Sequence, residues 1–104
     1  MIVEQRTYTL HPGKQQEFLS LVEKRGLAIQ LPVLGNLVGY FSTDIGDLNQ
    51  VVHLWGFADL NDREVRRNRL AALRAWQDFV PSVLPLIQQM KTQILKPASF
   101  SPIR

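Results

Sequence analysis

A chain of 104 residues, 45% of them hydrophobic, has room for one domain and not for two. It contains no cysteine, which excludes disulfides, thiol nucleophiles and cysteine-type zinc knuckles. Its net charge of +3, from 12 basic and 9 acidic residues, permits a basic patch but does not demand an anionic partner.

Ile2 to Leu10 reads as a strand, carrying Val, Thr and Tyr and ending at the turn cluster His11-Pro12-Gly13. Lys14 to Arg25 reads as a helix, because Phe18, Leu21, Val22 and Arg25 fall at i, i+3, i+4 and i+7. Gly26 is the expected stop, with Leu27 to Gln30 adding a turn before Pro32. Leu34 to Thr43 reads as a second strand. Its interior Gly35 and Gly39 mark a bulge or a close approach of something to the backbone. The polar connection Asp44 to Asn49 suits a hairpin, and Gln50 to Ala58 is the strongest strand signal in the chain.

Asp59 or Asn61 is placed to cap a helix running from Arg63 to about Leu73. Trp76, Phe79, Val80, Val83, Leu84 and Ile87 then repeat at helical spacing. Pro81 and Pro85 interrupt that stripe, so a kink or break is expected near each. Met90 to Lys96 reads as a fourth strand, ended by Pro97. The start lacks a basic segment followed by an apolar run, and no stretch approaches the ~18 apolar residues of a membrane span. The expectation is a cytoplasmic protein with no membrane partner.

The order β-α-β-β-α-β over residues 1–104 matches an α+β ferredoxin-like sandwich, a four-stranded antiparallel sheet with helices on one face. Side chains alternate across a strand. In the third strand Val52 and Leu54 form a plain aliphatic face, expected to lie under the helices, and Val51, His53, Trp55 and Phe57 form the other. Glu4, Arg6 and Tyr8 share a face of the first strand, and Val38 and Tyr40 one of the second. An aromatic, partly charged surface of this kind marks an interface. A cavity between the helix-free faces of two copies would accommodate both its apolar and its charged members.

Within that cavity Arg6 would bind an anionic or carbonyl oxygen, Glu4 would orient it or take a proton, and Tyr8 would donate. A structural ion pair is the alternative. His53 has an ordinary pKa near neutrality and would serve as a base, or else as a buried histidine bonded to a neighbour. Tyr40, Trp55 and Phe57 would line the ligand site. Two histidines 42 positions apart give no metal-ligand spacing, and no phosphate loop or calcium loop is present. No cofactor is implied. Arg63, Arg66, Arg67, Arg69 and Arg74 form a basic patch, read as a solvated outer helix face rather than a nucleic-acid surface. Gln50 to Phe57 lacks the spaced stacking aromatics of an RNA-recognition strand.

Several segments carry a family resemblance. They are Ile2 to Leu10 with Pro12-Gly13-Lys14, Leu34 to Phe41, Leu48 to Trp55, the arginine-rich stretch after Asp62, and the ending Pro97 to Pro102. Together they resemble the NIPSNAP family over essentially the whole chain. The resemblance implies a homodimeric α/β barrel in which two sheets pack face to face. It implies no assigned reaction. Eukaryotic members carry added targeting segments, and the expectation for this chain is that it has none. The function expected is binding of a small, partly apolar organic ligand in the barrel. The alternative is a cofactor-independent monooxygenase-like enzyme of the wider superfamily, assisted by His53, Arg6 or Tyr8.

Overall fold

The computed structural model describes all residues from Met1 to Arg104. Its elements are β1 (Ile2–Leu10), α1 (Gln15–Leu21), α2 (Leu27–Leu34), β2 (Asn36–Ser42), β3 (Gln50–Phe57), α3 (Leu60–Ala72), α4 (Arg74–Val83) and β4 (Ile87–Leu95). The strands form one antiparallel sheet in the order β2-β3-β1-β4, so the ferredoxin-like arrangement is the fold. The helices cover one face. No helix is long and apolar enough to cross a membrane.

Two helical readings need correction. Gly26 does not stop the first helix. A π-helical turn, Val22–Gly26, joins α1 to α2 without a break, and the helix runs through Pro32 to Leu34. The stop is Gly35, whose φ of 88° suits a residue without a side chain. Gly26 is small for another reason. A Cβ there would sit 2.9 Å from Cζ of Phe79, a ring buried under the helix pair.

Pro81 does not break the second helical region either. The break falls at Leu73, a single extended residue between α3 and α4, and α4 continues through Pro81 to Val83. Losing one amide bond there costs on the order of 3 kcal/mol. Burying a large apolar side chain returns about 1.5–3 kcal/mol, and α4 buries both Phe79 and Val83. Near Pro85 the chain does leave the α-helix, as a 3-10 turn over Leu84–Leu86. Asp59 caps α3, its Oδ1 accepting from the Asp62 amide at 2.7 Å.

The two faces of the sheet are the reverse of the expected ones. Glu4 pairs with Trp55, Arg6 with His53 and Tyr8 with Val51, and Tyr40 pairs with His53. These residues point at the helices of their own chain. Tyr8, Leu10 and Val51 join Phe18, Val22, Phe79, Val83 and Leu86 in one buried cluster. Trp55 and Phe57 join Val33, Leu34 and Leu70 in another. The helix-free face carries Val3, Val52, Leu54 and Phe41 beside Gln5 and Thr7. Both faces of β3 are apolar, so alternation alone could not fix which one the helices cover. Volume decides it: the wide gap between sheet and helices needs the large rings.

Gly26→Ala should therefore destabilise the fold by about 1–3 kcal/mol, as overpacking does. An open helix would instead gain about 1 kcal/mol from the same change. Urea unfolding of the two proteins measures the sign.

Candidate functional site

Strand β1 presents Glu4, Arg6 and Tyr8 in succession beneath the helices. The Glu4 side chain is fully buried. Its Oε2 accepts from Arg6 Nη1 at 3.0 Å, from Arg63 Nη2 at 2.8 Å and from Thr92 Oγ1 at 2.7 Å, while Oε1 has no partner. Burial by itself would raise the Glu4 pKa. The hydrogen bonds from Arg63 and Thr92 and the charges of Arg6 and Arg67 outweigh it and bring the value down to about 2. Arg6 also donates from Nε to the Tyr8 hydroxyl at 2.9 Å.

Strand β3 supplies His53, held on three sides by aromatic groups. Tyr40 stacks on it with ring centres 4.6 Å apart, and Tyr8 meets it edge-on at 4.9 Å. Trp55 donates its indole N–H to His53 Nδ1 at 2.8 Å. That bond fixes the tautomer: Nδ1 accepts, so the ring proton sits on Nε2. Nε2 is buried and has no protein partner. Burial, then the positive charges of Arg6 and Arg67, push the His53 pKa down to about 3. The ring is thus neutral near pH 7 and offers a hydrogen-bond donor. The expected role of base does not suit it. Burial also raises the Tyr40 phenol above its ordinary value, with Tyr8 adding to the effect, so that hydroxyl keeps its proton.

His53, Tyr8 and Tyr40 form one wall of a cavity of about 80 Å³ between the sheet and the helices. The remaining walls are mainly apolar, with Phe18 and Val22 from the first helical segment and Trp76, Phe79 and Val83 from α4; Gln30 adds an amide. Half-exposed Leu84 and Met90 form its rim. The π-helical turn begins at Val22, on this wall.

The expected site residues divide accordingly. Tyr8, Tyr40 and His53 come together at the cavity, and Arg6 and Glu4 adjoin it through Tyr8. Trp55 stands behind His53 and orients it, and Phe57 belongs to the second core cluster. Neither lines the cavity. The cavity lies within one chain, not between two sheets. Four contributors carry no site signal in the sequence: Arg63, Thr92, Trp76 and Gln30. Trp76 belonged to a helical stripe already visible in the sequence, but the partners of that stripe were not. Arg63 was read as solvated, and instead it reaches Glu4 across the fold.

A family model described as NIPSNAP matches residues 3–102. The chain belongs to the NIPSNAP family. Protein NipSnap homolog 2 of Homo sapiens is 38% identical over 104 residues, which cover 99% of this chain and 35% of that protein. The chain thus spans about a third of the length of this curated NIPSNAP relative. A crystal structure of a NIPSNAP family protein from Agrobacterium tumefaciens superposes with a TM-score of 0.97 at 53% identity, covering 99% of this chain and 98% of that one. An antibiotic biosynthesis monooxygenase superposes with a TM-score of 0.64 at 15% identity, covering 94% of this chain and 99% of that one, a likeness of fold alone.

The two buried groups give the NIPSNAP domain an acid limb in its stability. Both pKa values are lower folded than unfolded, so both groups contribute stability that is lost on acidification. His53 should drive the loss from its ordinary 6.5 toward 3, and Glu4 from 4.5 toward 2. Glu4→Gln should remove the lower part of that limb. At pH 7 it should destabilise by about 2–3 kcal/mol, because Arg6 and Arg63 lose their counter-charge. That figure is at the low end for an orphaned charge, since the two arginine side chains are 13% and 27% exposed. Urea unfolding at a series of pH values separates the two contributions.

Proposed function

We propose that this NIPSNAP protein is a cytoplasmic homodimer in which each chain binds a small, partly apolar organic molecule between its sheet and its helices. The observation that carries this reading is an apolar cavity whose wall includes the His53 ring, a ring whose buried Nε2 donor has no protein partner. A buried polar atom without a partner costs about 1–3 kcal/mol, and a ligand oxygen accepting from Nε2 would offset that cost. The aromatic walls would hold the apolar part, and Tyr40, which keeps its proton, supplies a hydroxyl as a second donor. About 80 Å³ is small beside the ~300–1,000 Å³ of drug-sized sites, which favours a fragment-sized ligand or one that emerges over Leu84 and Met90.

Binding is favoured over a cofactor-independent oxygenase. Such a reaction would begin with proton removal, and a neutral histidine whose pKa lies at about 3 and whose Nδ1 is already engaged is a poor base. The monooxygenase likeness supports the fold and adds no catalytic residue.

The assembly reading rests on the opposite face of the sheet. Val52, Leu54 and Phe41 lie there uncovered by any helix, and Phe41 is 58% exposed. A second copy laid sheet to sheet would bury them.

Two measurements test these readings separately. In a two-dimensional NMR titration, 2-phenylethanol should shift signals clustered on Phe18, Val22, Tyr40, Trp76 and Val83. Met90→Trp, which fills the rim, should weaken those shifts at least several-fold. Shifts scattered over the surface, or none, would count against a ligand cavity. In sedimentation, the wild type should run as a dimer at micromolar concentration and Leu54→Asp as a monomer. A monomeric wild type would overturn the assembly.

A further inference from the structure

Charge is unbalanced beside the cavity. Arg6 and Arg63 pair with Glu4 at 3.0 and 2.8 Å, Arg67 follows Arg63 by one turn of α3, and Glu4 is the only carboxylate that pairs with any of the three. The neighbouring carboxylate, Asp62, is engaged by Arg66 at 2.8 Å. Arg66 is itself held by the Val33 carbonyl at 3.0 Å. One carboxylate thus faces three guanidinium groups, an excess of two positive charges.

Arg67 has no structural task that accounts for it. Its guanidinium makes no ion pair, and the hydrogen bonds of this region run to Arg6, Arg63 and Arg66 instead. It follows Arg63 by four positions on α3, where like charges face one another and repel. Burial, then the charge of Arg6, lowers its pKa, and Glu4 opposes them only in part. The buried Nε of Arg63 also lacks a partner. Unused donors and uncompensated charge therefore lie together, partly open to solvent. Tyr8 links them to the cavity, with its ring in the cavity wall and its hydroxyl on Arg6.

We propose that Arg67, with Arg6 and Arg63, forms an oxyanion subsite that takes a carboxylate or phosphate group of a ligand whose apolar part enters the cavity. The proposal rests on the cavity reading and adds the chemical class: an anionic amphiphile. A guanidinium fork matches the paired oxygens of such a group.

Phenylacetate and its neutral counterpart 2-phenylethanol provide the test, with binding followed by NMR at constant ionic strength. Wild type should bind phenylacetate about tenfold or more tightly than the alcohol, the range expected for charge-assisted hydrogen bonds. Arg67→Gln should erase that preference and leave alcohol binding unchanged. Arg69→Gln removes the same charge from an exposed position on the same helix and should leave both affinities unchanged. Arg67→Gln should melt no lower than wild type, because no bond is lost; a marked drop would assign Arg67 a structural role and overturn the proposal. Equal affinity for acid and alcohol, or equal effects of the two glutamine variants, would overturn it too. Should neither aromatic compound bind, the cavity reading falls, and a titration with inorganic phosphate then decides the subsite. Saturable shifts that Arg67→Gln abolishes would sustain an anion site alone, and their absence would remove it.

Discussion

One buried carboxylate organises this fold. Glu4 on β1 accepts from Arg6 on its own strand, from Arg63 on α3 and from Thr92 on β4, all at a single oxygen. An isolated charge in that position would be prohibitively costly. With its donors it becomes a tether between a central strand, the edge strand beside it and the helix above. The same tether brings arginines into the protein and sets their charge next to His53. Those charges add to burial, the larger cause, in lowering the pKa of the histidine.

The pairing of strands adds a second constraint. Because β1 and β3 are antiparallel neighbours with Arg6 opposite His53, the polar line of one strand lies against the aromatic line of the other. Tyr40 completes the set from β2, also opposite His53. The register shift between Leu37 and Gly39 places Val38 on the helix-free face with Leu54 and Tyr40 on the covered one. Val38 and Tyr40 thus do not share a face, as strict alternation would have required.

Much of the architecture was legible in the residues. The four strands, the Asp59 cap and the ferredoxin-like order follow from alternation, turn chemistry and helical spacing. The NIPSNAP motifs were visible across the chain. Three features were not legible, each for a physical reason. Gly26 looks like a helix end, but glycine also serves close packing, and its neighbour Phe79 is 53 positions away. The break expected at Pro81 gave way to one at Leu73, because Phe79 and Val83 anchor the segment into the core. The covered face of the sheet is hidden because both faces of β3 are apolar. Three-dimensional volume settles that face, and Arg63 looks like any surface arginine until the helix is folded over Glu4.

Every wall of the cavity, and every arginine beside it, comes from a single polypeptide. A lone copy thus carries a whole pocket and borrows no residue from a neighbour.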